Sequence, residues 1–112
     1  MFYPDSRVRA YVYTEAVDMR KSFKGLSGVV RNELKNDPLS GHVFCFFNRR
    51  RNFVKVLFWE RTGYCIIAKR LARGTFSALD VKEITMRDLK AVLEGIEYQS
   101  LRWRKSYEYI PQ

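Results

Sequence analysis

The stretch Asn48-Arg49-Arg50-Arg51-Asn52-Phe53-Val54-Lys55-Val56-Leu57-Phe58-Trp59-Glu60-Arg61-Thr62-Gly63-Tyr64-Cys65-Ile66-Ile67-Ala68-Lys69-Arg70 holds two runs of β-branched and aromatic residues, Phe53 to Trp59 and Tyr64 to Lys69. Such runs favour extended backbone because their side chains pack well on a pleated surface. A third run, His42 to Phe47, lies just upstream. The polar separators, Asn48 to Asn52 and Glu60-Arg61-Thr62-Gly63, have the length of hairpin turns. The pattern predicts a small antiparallel meander. Its strands are apolar on nearly both sides, so both faces of the sheet should be covered, by helices or by a second subunit.

Working outward toward the N-terminus, Val8 to Tyr13 alternates as a strand, with Val8, Ala10 and Val12 on one side and Arg9, Tyr11 and Tyr13 on the other. The period then changes. Met19, Phe23, Leu26, Val30 and Leu34 recur at helical spacing and predict a long helix in the N-terminal half. Asp18 is its expected N-cap, and Asn36-Asp37-Pro38 its expected end. Gly25 and Gly28 inside that helix suggest either close approach to the sheet or a turn. Toward the C-terminus, Met86, Leu89, Leu93 and Ile96 mark a short helix. It has Thr85 as N-cap, Asp88 three residues on, an Ile84/Leu89 staple, and Gly95 to end it. The expected class is α+β, a single domain over residues 1–97, with the basic and aromatic tail 98–112 unassigned.

Positive charge is concentrated in the strand-forming region. Met1 to Asn48 carries seven Lys/Arg against five Asp/Glu, Arg49 to Arg73 eight against one, and Gly74 to Gln112 six against six. Most of the net charge of +9 therefore belongs to a folded surface, the usual footprint of a protein that meets a polyanion such as nucleic acid. No apolar run approaches the ~20 residues of a membrane span. The N-terminus lacks the pattern of a signal peptide. Cys45 and Cys65 sit in apolar runs without metal spacing, as buried free thiols of a reducing compartment do. A cytoplasmic location follows, with no membrane partner.

The catalytic chemistries find little support. His42 is the single histidine, and a structural or capping role suits its place at a strand entrance. Two cysteines twenty residues apart and one histidine make a poor zinc set. Gly25-Leu26-Ser27-Gly28 lacks the Lys-Ser/Thr of a phosphate loop. The strands between His42 and Lys69 hold one carboxylate, Glu60, too few for two-metal nucleotidyl transfer. The expectation is a protein without enzymatic activity, cofactor or metal.

The basic turns are the positive candidate. Arg49, Arg50 and Arg51 at a hairpin tip could straddle phosphates, with Asn48 and Asn52 adding hydrogen bonds to phosphate or base edges. In a meander the far end of the third strand returns toward that tip, which would bring Lys69, Arg70 and Arg73 to the same region. Lys55 lies on the middle strand, and Arg20, Lys21 and Lys24 at the helix start are secondary candidates. The plainer alternative is that arginine-rich turns are solvated and keep a sheet edge from aggregating.

The ordered motifs Asp18-Met19-Arg20-Lys21-Ser22-Phe23 with Gly25-Leu26, Asp37-Pro38-Leu39-Ser40-Gly41-His42-Val43-Phe44, Asn48-Arg49-Arg50-Arg51, Lys55-Val56-Leu57-Phe58-Trp59, Gly63, Lys69-Arg70-Leu71 with Gly74 and Phe76, and Leu93-Glu94-Gly95-Ile96 resemble a known family. It is that of the TnpB-type accessory proteins of IS66-type insertion sequences. The likeness runs from about residue 8 to residue 96. It implies an auxiliary of DNA transposition working beside a separate, larger transposase, and it supplies no catalytic residues to carry over. The charge pattern adds DNA as the expected partner. Docking on the transposase without touching DNA is the alternative, and a homo-oligomer stays open.

Overall fold

The computed structural model describes residues 7–101. Five strands form one sheet: β1 (Arg9–Val12), β2 (Val43–Phe47), β3 (Phe53–Glu60), β4 (Gly63–Arg70) and β5 (Glu83–Thr85). The helices are α1 (Phe23–Asn32) and α2 (Met86–Leu93). Strand order is β4-β3-β2-β1-β5. β2, β3 and β4 pair antiparallel in sequence order, whereas β1 runs parallel to β2 and β5 antiparallel to β1. The sheet is thus mixed, where a meander alone was expected. A parallel neighbour needs a crossover long enough to reverse the chain twice, and α1 with its flanking loops supplies it.

The fully buried β2, Val43-Phe44-Cys45-Phe46-Phe47, sits at the centre of the sheet and feeds a core on each face. Phe44, Phe46 and Leu57 point to one side, where Val17, Leu26 and Val30 cover them from α1 and its approach. Val43, Cys45, Phe47, Val54, Val56 and Phe58 point to the other, beneath Leu89 and Val92 of α2 and Phe76 and Leu79 of the chain between β4 and β5. Helices and loop of the same chain therefore cover both faces at β2 and β3. β4 is different: its second half, Ile67 to Arg70, is exposed.

The N-terminal-half helix is shorter than its apolar stripe predicts. Asp18 does not cap it. Its carboxylate takes the backbone N–H of Arg20 at 2.9 Å and the Arg20 guanidinium, while Lys21 N donates to Asp18 O, closing a turn. The helix begins four residues later, with Ser22 at the N-cap position and no side-chain cap bond. It stops at Asn32 because Lys35 takes a left-handed conformation (φ 52°) and Asn36 N folds back to Val30 O. Met19 and Leu34 still pack on the α1-side core, so the stripe correctly marked burial while overstating the helix. Phe23 is exposed. A Cβ at Gly28 would meet open space and one at Gly25 would meet the Lys21 side chain, so neither glycine marks contact with the sheet.

α2 follows its signals closely. Thr85 Oγ1 accepts from Asp88 N at 3.1 Å, and Gly95 takes the left-handed conformation (φ 97°) just past the end. The core takes in Tyr98, 8% exposed, with Leu101 packed against it. Residues 102–112 of the tail, Arg102 to Lys105 among them, lie outside the described residues.

Candidate nucleic-acid interface

The β2–β3 hairpin loop is built as a clasp. Asn48 Oδ1 accepts from the backbone N–H groups of Asn52 and Phe53, each at 3.0 Å, and Asn48 Nδ2 donates to Asn52 Oδ1 at 2.7 Å. Both asparagine side chains thus hold the loop, consistent with their habit of bonding nearby backbone. Arg51 takes a left-handed conformation (φ 57°) at the turn.

That conformation aims Arg51 inward. Its Cζ lies 4.4 Å from the centroid of Phe47. Nη2 donates to Ser77 O at 2.5 Å and Nε to Phe76 O at 3.3 Å. Burial lowers its pKa from the ordinary guanidinium value. Its own carbonyl accepts from Phe76 N at 2.6 Å. Arg51 therefore ties the hairpin to the chain that leaves β4, and its donors go to protein carbonyls.

The two basic segments meet at one end of the sheet. The β3–β4 register sets Phe53 opposite Arg70 and Val54 opposite Lys69, and Leu71 N donates to Asn52 O at 2.8 Å. Residues 49–51 and 69–73 thus share this end. Arg49, Arg50 and Arg73 are exposed, and their side chains make no hydrogen bond or ion pair with the described residues. Arg70 stacks over Phe53, with Cζ 4.4 Å from the ring centroid, which fixes the exposed side chain without consuming its N–H donors. The ion pairs Arg9–Glu83 and Arg20–Asp18 involve none of these residues.

The remaining candidates divide by face. Lys55 shares the α1 face with Arg70 and donates its Nζ to Lys21 O at 2.8 Å, which ties β3 to the turn before α1. Lys69 faces the other way and donates to Leu93 O at 2.7 Å, at the C-terminal end of α2, where a cation is favoured. Arg20 is bound to Asp18, whose carboxyl the guanidinium holds at about 2. Lys21 and Lys24 line an open groove beside Gly25 and Gly28. The Lys55 bond to Lys21 O links this helix start to the sheet. His42 is structural: its Nδ1 accepts from Arg9 N at 3.0 Å, steadying the β1–β2 side of the sheet.

Sequence reasoning missed the rings beneath the arginines, because Phe47 and Phe53 read as core alone. The available signal was cross-strand pairing: the hairpin register already sets Phe53 against Arg70. The carbonyls of Phe76 and Ser77 had no local signal, because they reach Arg51 from twenty-five residues away.

Over residues 8–103 the chain matches the family model described as IS66 Orf2-like protein. It is 33% identical over 96 residues to the uncharacterized protein y4hO of Sinorhizobium fredii, covering 82% of this chain and 84% of that one. It is 31% identical over 106 residues to y4jC of the same strain, covering 91% of each. No solved structure matches the chain.

Proposed function

Since this chain belongs to the IS66 Orf2-like family, the TnpB-type accessory proteins of insertion sequences, we propose that it serves transposition by binding DNA through the exposed arginines at one end of its sheet. The family points to an accessory role in transposition and is not a known enzyme family; a DNA-binding, non-catalytic role goes further. Arg49, Arg50, Arg70 and Arg73 grip the DNA. The observation that carries this is their convergence. Two separate segments, clamped by the β3–β4 register and the Leu71–Asn52 bond, hold these arginines at one sheet end with no carboxylate partner among the described residues.

The chemistry suits a sugar-phosphate backbone. A guanidinium grips phosphate in two places, and a fork already fixed by packing loses less freedom on binding. Arg51 and Asn48 support this surface by fixing the loop, Lys55 by tethering β3 to the turn before α1, and Lys69 by tethering β4 to the end of α2. Phosphate binding of this kind positions a protein on DNA without reading sequence.

Gel-shift binding to duplex DNA tests the proposal. The parent protein should bind, and Arg49→Glu/Arg50→Glu should bind at least tenfold more weakly with its fold intact. Equal affinity for parent and variant would remove the hairpin from the interface. Absence of binding, with co-purification of a transposase after nuclease treatment, would favour docking on protein instead.

A further inference from the structure

β4 is the outer strand of the sheet, and on one side its backbone makes no hydrogen bond to the backbone of a described residue. Which residues point outward follows from the ladder. Leu71 N donates to Asn52 O, and antiparallel pairs alternate, so the odd-numbered residues of β4 bond to β3. Tyr64, Ile66, Ala68 and Arg70 therefore turn their N–H and C=O groups away from the sheet. An eight-residue edge of this kind is a template for another strand. Basic residues protect only its last two positions, and Ile67 is 45% exposed.

We propose that β4 pairs antiparallel with β4 of a second copy, about a two-fold axis at Ile67, to join two sheets into one. The strand's own pattern selects the occupant and the register. The outward-facing residues 64, 66, 68 and 70 are symmetric about position 67. The register that sets Ile67 against Ile67 of the second copy therefore matches every outward group: Tyr64 with Arg70, and Ile66 with Ala68. A shift of two residues would set an end residue against a position beyond the strand, Arg70 against Thr62 in one direction and Tyr64 against Ala72 in the other. A shift of one would set residues of opposite faces against each other.

The side chains agree with that register. Ile67 buries against its equivalent, removing an exposed apolar side chain from water. Arg70 of the second copy comes across from Tyr64, beside the Trp59–Tyr64 pair, whose rings meet edge-on at 5.1 Å. Lys69 of the second copy comes opposite Cys65, whose Sγ is 4.0 Å from Glu60 Oε2, so in the pair its ammonium exchanges the Leu93 carbonyl of its own copy for this carboxylate. The like charges separate: the two Arg70 positions lie six residues apart along the joined strands, about 20 Å at the usual rise per residue. The pairing is complementary in hydrogen bonding, apolar packing and charge; it leaves Arg49, Arg50 and Arg73 outside the interface and the Arg70 guanidinium over Phe53 of its own copy, at the interface edge.

The mass of the full chain in solution, by sedimentation and by light scattering after gel filtration, tests this. The parent should be a dimer. Ile67→Lys and Ile67→Asp each put like charges across the axis and should be monomers with an unchanged far-UV spectrum. Mixed one to one, they should regain the dimer mass, because the axis then sets lysine against aspartate. Ala68→Pro, which removes an outward N–H and none that β3 uses, should also be a monomer. A parent that stays monomeric, a dimer that survives in Ile67→Lys, or a mixture that stays monomeric would overturn the proposal.

Discussion

Arg51 and Arg49 are two residues apart in one basic triplet, yet the structure gives them opposite work, and substitution should separate them. Arg51→Ala removes two hydrogen bonds to main-chain carbonyls, at 2.5 and 3.3 Å, and a guanidinium held over Phe47. A hydrogen bond from a charged donor contributes about 1.5–3 kcal/mol, and a partly exposed cation–π interaction about 0.5–1 kcal/mol. The longer bond counts for little, and the cost of burying the guanidinium offsets part of the gain. The net loss should be about 2–3 kcal/mol, or on the order of 1–2 M in the urea midpoint. The turn adds a second signature. Alanine at the left-handed φ of 57° is strained, whereas glycine is not. Arg51→Gly should therefore be about 0.5–1 kcal/mol less destabilised than Arg51→Ala, after allowing for the freer unfolded chain of the glycine variant. The Arg49 side chain makes no hydrogen bond or ion pair with the described residues, so Arg49→Ala should change stability by less than ~0.5 kcal/mol. Urea melts of the three variants, read by far-UV circular dichroism, decide the matter. Arg51→Ala as stable as Arg49→Ala would refute the structural role assigned to Arg51.

Thr85→Ala should lose about 1 kcal/mol in the same melts, because the Asp88 N–H at the start of α2 loses its cap. Burial pushes the Cys45 thiol up to about 12, while Cys65 is half-exposed. A thiol reagent near pH 8 should therefore modify Cys65 in the folded protein and reach Cys45 only on unfolding. The raised value also has a sign for stability. Below about 9 both states hold the Cys45 proton; above it the unfolded chain releases the proton first, so stability falls as pH rises toward 12. Cys45→Val should flatten that alkaline decline, and an unchanged decline would assign it to other groups.

Much of the sheet was legible because β2, β3 and β4 are joined by short turns and their apolar runs are continuous. β1's place beside β2 was not, since a parallel pairing across an intervening helix leaves no local mark. β5 is three residues long and gives no pattern of its own. The helix signals divided instructively. Thr85 and Gly95 framed α2 because each acts on its own turn. Asp18 misled because an aspartate closes a turn with Arg20 as readily as it caps a helix, and spacing alone cannot tell these apart. For the candidate site, charge counting singled out 25 residues, and the β3–β4 register brings their ends together. What it could not do was sort the arginines. Arg51 is consumed by carbonyls distant in sequence, and Arg20 by a neighbour that also shapes the chain; only the fold separates them from Arg49, Arg50 and Arg73.

The salt dependence of duplex DNA binding bears most directly on the role given to this end of the sheet. For the parent protein, log affinity should fall linearly with log salt concentration, and Arg49→Gln/Arg50→Gln/Arg73→Gln should flatten the slope by about 0.9 for each phosphate no longer neutralised. A triple variant that keeps the parent slope and affinity would contradict the assignment of DNA binding to these arginines.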